Sequence, residues 1–190
     1  KRFEAIIDGS NRLFRCVSLC NSEIGEKQLL QLSKHSEQFE EIYICGAVEI
    51  CVDPTDFDNH LIQSLTFSTN LYYLMLDTTS ISTLTFLRFT PNLKVLSIEH
   101  CNNLVSDDIA SLKYCKNVEQ IHMSHTGITA RSIFELCAKC RFGELIVLDC
   151  QGIEFIFSET LALTTIQKDL IYFGLSLFPT FTRETFEVFF

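Results

Sequence analysis

The sequence predicts an α/β solenoid of about six to seven stacked repeats, with a parallel β-sheet on the concave side and helices on the convex side. Three observations carry that expectation. One pattern recurs, as Leu93-x-x-Leu96-x-Ile98-x-x-Cys101-x-x-Leu104, Val118-x-x-Ile121-x-Met123-x-x-Thr126-x-Ile128, and Phe142-x-x-Leu145-x-Val147-x-x-Cys150-x-x-Ile153. The pattern extends outwards, with first positions at 14, 39, 71, 93, 118, 142 and 170, separated by 25, 32, 22, 25, 24 and 28 residues. Between these motifs the apolar spacing lengthens from two residues toward the helical period, as a strand followed by a helix requires.

Taken in order, 1–13 forms an N-terminal cap holding Phe3, Ile6, Ile7 and Leu13. Repeats fill 14–178, and 179–190 is a C-terminal cap or a truncated further repeat, all within one domain. Phe14-x-x-Val17-x-Leu19 is the first strand motif, and Ile24 to Leu32 follows with helical spacing. Phe39-x-x-Ile42-x-Ile44 is the second; after it Asp53-Pro54-Thr55-Asp56 opens a helix over 57–65, because proline fits a first helical turn that needs no N–H partner. Leu71-x-x-Leu74-x-Leu76 leads into Ser80 to Thr90, a convex segment that Pro91 keeps short or irregular. After the Leu93 motif, Ser106 is expected to cap a helix reaching Leu112, with Asp107 and Asp108 in the first turn where the helix dipole favours them. Thr129 is expected to cap another helix reaching Cys137 after the Val118 motif. Leu170-x-x-Phe173-x-Leu175 is a weaker seventh unit.

Composition narrows the function classes. With 47% hydrophobic and 21% charged residues the chain has the balance of a globular protein, and no apolar run is long enough to span a bilayer. The net charge of -9 comes without a Lys/Arg cluster, which argues against direct nucleic-acid binding. Seven glycines include no phosphate-cradling loop, and no serine sits in a nucleophile elbow, so neither catalytic residues nor a cofactor are expected. Cys137-x-x-Cys140 has no second pair to complete a zinc site. His100, His122 and His125, with Glu99 beside them, fall near one another by repeat geometry, but the expectation is solvated histidines rather than a metal site. Nine cysteines, an odd number, together with the lack of an Asn-x-Ser/Thr acceptor, favour an intracellular protein, cytoplasmic or nuclear, with nine free thiols.

The unit length and the L-x-x-L-x-L-x-x-N/C-x-L spacing resemble the leucine-rich repeat. The stretch Leu93-Lys-Val-Leu-Ser-Ile-Glu-His-Cys101-Asn-Asn-Leu-Val-Ser-Asp-Asp-Ile109, with Cys150-Gln-Gly-Ile153, is similar to the cysteine-containing class found in F-box/leucine-rich-repeat proteins and related substrate receptors of cullin-type ubiquitin ligases. In that class Leu or Ile followed by Thr/Ser-Asp opens the helix, as Leu104-Val105-Ser106-Asp107 does here. The resemblance covers about residues 93 to 153 and implies substrate or adaptor recognition in a larger complex, although no F-box or cullin-recruiting helix pair is visible in the sequence.

Strand residues alternate faces, so the positions between the ladder residues point out of the concave sheet. Tyr43, Tyr73, Met75, Val95, Ile146, Leu148 and Tyr172 gather there, with Glu41, Asp77, Glu99 and Glu144 around them and His122 in the same rows. An apolar centre with a polar rim is the anatomy of a protein-binding surface. The expected partner-binding residues are therefore Tyr43, Tyr73, Met75, Val95, Glu99, His122, Glu144, Ile146, Leu148 and Tyr172. The chain reads as a non-catalytic protein-interaction module without nucleic-acid or membrane contact. The second reading is a scaffold subunit of a ribonucleoprotein or RNA-processing assembly that holds a protein partner.

Overall fold

A computed structural model describes residues 15–19, 34, 36–45, 54–129, 132–133, 135–136, 143–147 and 172–175. Seven short strands form one parallel sheet in chain order: β1 (Cys16–Ser18), β2 (Glu41–Tyr43), β3 (Tyr73–Met75), β4 (Val95–Ser97), β5 (Gln120–His122), β6 (Glu144–Val147) and β7 (Tyr172–Leu175). Parallel neighbours require a crossover after every strand, which is what the long steps between motifs supply.

The register pairs Val17, Ile42, Leu74, Leu96, Ile121, Leu145 and Phe173 in a single row, the middle ladder position of all seven motifs. From Ile42 to Leu145 this row is at most 1% exposed. The rows on either side, among them Leu71, Leu93, Leu76, Ile98 and Met123, are buried with it. Burying one such side chain contributes roughly 1.5 to 3 kcal/mol, and every ladder residue is covered only by the units next to it.

The turns out of β3, β4 and β5 are each closed by a buried small side chain. Thr79 Oγ1 donates to Leu76 O (2.7 Å), Cys101 Sγ reaches the same carbonyl from the next unit (3.0 Å), and Thr126 Oγ1 donates to Met123 O (2.8 Å). The residues just before these, Thr78, His100 and His125, have φ of 57°, 58° and 55°. Such a left-handed turn is costly for a β-branched residue like Thr78. It is held by ladder-like bonds from Thr78 N to Glu99 O (2.7 Å) and from His100 N to Ser124 O (2.9 Å). Burial pushes the Cys101 thiol up to about 11, so it is a packing residue and not a nucleophile.

Before the strands, a second polar row joins the units. Asn70 Nδ2 donates to Glu37 O (2.9 Å), Asn92 Nδ2 to Thr69 O (2.8 Å), and Asn117 Nδ2 to Pro91 O (3.2 Å). All three precede the first ladder residue, and each caps a carbonyl one repeat upstream.

On the other side of the core, α1 (Pro54–Leu65) begins at the expected proline. Its buried Asp58 accepts hydrogen bonds from the Ser82 N–H (3.1 Å) and hydroxyl, tying α1 to the next unit. The segment before Pro91 is a short 3-10 helix, Thr85–Phe89, as its length dictates. Ser106–Tyr114 departs from expectation. It is a 3-10 helix, and Val105, extended at φ −121°, caps it in place of Ser106, with the Val105 N–H donating to Asp108 Oδ2 (3.1 Å). The cause lies in the spacing: Ile109, Leu112 and Cys115 are all buried three residues apart, as are Ile81, Leu84, Leu87 and Thr90. A 3-10 helix, with three residues per turn, puts such a row on one face, where an α-helix would rotate it away. Thr129 accepts the Ile133 N–H (3.2 Å), so it opens a helical turn as expected. Gly127 meets the preceding unit edge-on, its N–H on Leu104 O (3.1 Å), and a Cβ there would lie 2.7 Å from that oxygen.

The expectation of nine free thiols is corrected. Cys16, Cys101 and Cys115 are free, but Cys45 is disulfide-bonded. A disulfide uses two thiols, so at most seven of the nine remain free. The expected helix over 24–32, the caps over 1–13 and 179–190, and Cys137, Cys140 and Cys150 lie outside the described residues. Among the described residues no helix is long and apolar enough to cross a membrane.

Candidate functional site

The face of the sheet turned away from the ladder is the candidate site. Because β2 and β3 pair Glu41 with Tyr73 and Tyr43 with Met75, Tyr43 and Tyr73 are diagonal neighbours, a separation aromatic rings can bridge. Their rings stack with centroids 4.8 Å apart and planes 28° from parallel. Val95 lies beside Tyr73 and Ser97 beside Met75 on β4; Tyr43, Tyr73, Met75 and Val95 are all half-buried.

A carboxylate anchors this cluster. Glu41 accepts a hydrogen bond from Tyr43 Oη (3.0 Å) on one oxygen and from Tyr72 Oη on the other. The hydrogen bond to Glu41 pushes Tyr72 up to about 12; burial, and then Glu41, push Tyr43 up as well. Both phenols therefore stay protonated donors at neutral pH.

Toward β4 and β5 the face becomes polar. Asp77 Oδ1 accepts from Ser97 Oγ (2.7 Å) and from the Glu99 N–H (2.9 Å). Burial pushes Asp77 above the usual carboxylate range, against these bonds and the nearby His122. Ser97 is fully buried, while Glu99 and His122 are half-buried, and His122 pairs with Ser97 across the strands. Ile146 is half-buried beside His122 on β6. Glu144 and Tyr172 take their expected register positions on β6 and β7, and Leu148 lies outside the described residues.

His100 and His125 stack with centroids 4.1 Å apart and planes 9° from parallel, because both occupy the same left-handed turn position in adjacent units. His122 sits at the end of β5, and His125 follows in the turn out of that strand. Among the described residues no group of three or more His, Cys, Asp or Glu side chains could hold a metal ion.

Along the strand starts runs a charged row. Arg15 pairs with a half-buried Glu40 (3.2 Å) and Lys94 with Glu119 (2.9 Å), surface pairs worth little each. Tyr72 interrupts this row. Reading only the alternating strand positions misses it, although the doublet Tyr72-Tyr73, where four of the other units carry Arg15, Glu40, Lys94 or Glu119, is the signal that could have found it.

The sequence matches no family model and no curated protein. Among solved structures, leiomodin-1 actin-binding site 2 aligns over 84% of this chain and 83% of its own, at 14% identity and a TM-score of 0.50. The fold is a leucine-rich-repeat solenoid. Internalin C2 from Listeria monocytogenes str. 4b F2365 aligns over 85% of this chain and 80% of its own, at 15% identity and a TM-score of 0.48. The tropomodulin C-terminal domain from Caenorhabditis elegans aligns over 85% and 86%, at 15% identity and 0.44. At such identities the likeness concerns the fold alone.

Proposed function

We infer that this leucine-rich-repeat solenoid is a non-catalytic binding module that holds a protein partner on the open face of its sheet. The observation that supports the reading most is the stacked Tyr43–Tyr73 pair with Met75 and Val95 beside it, apolar and aromatic surface on a face that takes no part in the core. Aromatic and methionine side chains of this kind carry most of an interface's binding energy. Glu99, His122 and Ile146 extend the surface along the sheet, Glu144 and Tyr172 hold the matching register positions on β6 and β7, and strand alternation in the sequence adds Leu148. A solved leucine-rich-repeat neighbour bears the name of an actin-binding site, which agrees with protein binding as the use of such a fold. Substrate or adaptor recognition within a ubiquitin ligase, in an intracellular setting, is the context suggested by the resemblance of residues 93 to 153 to the cysteine-containing repeats; the Cys45 disulfide weighs against a reducing compartment.

The test is capture of partner from cells by the intact 190-residue chain. Tyr73→Ser with Met75→Ser should reduce the captured partner by about tenfold or more, since roughly 1.4 kcal/mol suffices for that factor, while circular dichroism stays native. Lys113→Ala with Lys116→Ala, exposed and away from the sheet face, should capture normally. Loss with the lysine pair and retention with the Tyr73/Met75 pair would show that the partner uses the helical side.

A further inference from the structure

We propose that the aromatic end of the open face is a seat for an arginine of the partner protein, its guanidinium lying on the Tyr73–Tyr43 rings and paired with the Glu41 and Asp77 carboxylates. The proposal rests on the reading of the open face as a protein-binding surface and names what that surface takes.

An uncharged partner would carry a penalty on this surface. Glu41 and Asp77 flank Tyr73, and after burial their charges are what hold the Tyr73 phenol up. An aliphatic segment covering Tyr73 and Met75 would strip water from both carboxylates and leave them uncompensated, a penalty that a few apolar contacts do not offset. A cation removes that penalty. Among the described strand positions the outward face offers no lysine or arginine, from Cys16 to Gly174 in the sheet register, and His122 near Asp77 is its one imidazole. Arg15 and Lys94, at the strand starts, are paired with Glu40 and Glu119. The net charge of -9 draws a cationic segment toward the chain from a distance.

Shape then selects arginine over lysine. Stacked rings offer a flat platform, and a guanidinium is planar, lies on aromatic faces and pairs in fork geometry with a carboxylate; an ammonium does only the charge part of this. Glu41 is fixed for that role, since Tyr43 and Tyr72 each bond one of its oxygens and every carboxylate oxygen has a second acceptor site left. Asp77 is held likewise by Ser97 and the Glu99 N–H.

The chain has five tyrosines and no tryptophan, and three of those tyrosines are in this cluster, so tyrosine emission reports on the site directly. The probe is an acetylated, amidated pentapeptide with two arginines between glycines, titrated into the intact 190-residue protein beside its citrulline and lysine counterparts. Citrulline keeps the shape and removes the charge. Saturable quenching by the arginine peptide, with citrulline about tenfold weaker or worse and lysine weaker than arginine, is the expected result. Tyr73→Leu, which keeps apolar bulk, and Glu41→Gln, which keeps shape, should each weaken the arginine peptide by about fivefold. Equal affinity for arginine and citrulline, absence of saturation, or arginine binding that survives Tyr73→Leu unchanged would overturn the proposal, the last because it would leave only diffuse attraction to an acidic protein. Should the peptide fail while Tyr73→Ser with Met75→Ser still abolishes partner capture, arginine recognition is wrong and protein binding on the open face stands. Unchanged capture would remove the reading of the open face as the binding surface.

Discussion

On β2 to β6 the residues facing the helices are Ile42, Leu74, Leu96, Ile121 and Leu145, and those facing the other way at β2 to β5 are Glu41 and Tyr43, Tyr73 and Met75, Val95 and Ser97, Gln120 and His122. The two sets are one residue apart in sequence. On the core face each unit repeats the last, because a ladder side chain must fit the hole left by its neighbours above and below. On the open face no unit repeats another: Glu41 with Tyr43 at β2, Tyr73 with Met75 at β3, Val95 with Ser97 at β4, Gln120 with His122 at β5. A face released from stacking is free to differ between units, so what differs there is the part of the chain that can specify a partner.

The largest expected effect breaks the core side of the comparison. Leu96→Ala should cost roughly 2 to 5 kcal/mol in denaturant unfolding, as truncation of a fully buried leucine does. A cost below about 0.5 kcal/mol, the range of neutral surface changes, would mean that the ladder register is wrong. Next comes the close approach at Gly127. Gly127→Ala puts a methyl 2.7 Å from Leu104 O and should cost about 1 to 3 kcal/mol through forced backbone displacement; wild-type stability would show that these two units are not in contact there.

A third test concerns pH. Asp58, Asp77 and Asp108 are all pushed above the usual carboxylate value, each chiefly by burial. A carboxyl whose folded pKa exceeds its unfolded one contributes stability below the unfolded value and loses it as pH rises through the folded value. The melting temperature should therefore be higher near the unfolded carboxyl value, about pH 4, than near about pH 8, well above it. Asp77→Asn should flatten part of that dependence if the open face carries its share, and a melting temperature that falls on acidification from pH 8 would contradict all three assignments. The smallest effect is expected at the rim, where Lys94→Ala and Glu119→Ala should show coupling within about 0.5 kcal/mol, both side chains being more than half exposed.

Legibility in the sequence followed the same division. The ladder was readable in all seven units, down to the register, because its period is fixed by stacking. The convex segments were readable as to place but less so as to kind: spacings of three, four and seven suit an α-helix, whereas Ile109, Leu112 and Cys115 at an unbroken three mark the 3-10 helix. Alternation placed Tyr43, Tyr73, Met75 and Val95 on one face. It did not show Tyr72 reaching Glu41, nor Asn70, Asn92 and Asn117 tying units together, since both rows lie just outside the strands.

The central claim is that the open face, and not the helical side, meets the partner. A photo-crosslinking amino acid placed singly at Met75 or at Lys113, in the otherwise unchanged chain expressed in cells, tests it most directly. The account predicts a discrete protein adduct from position 75 and none from position 113; an adduct from position 113 alone would contradict it.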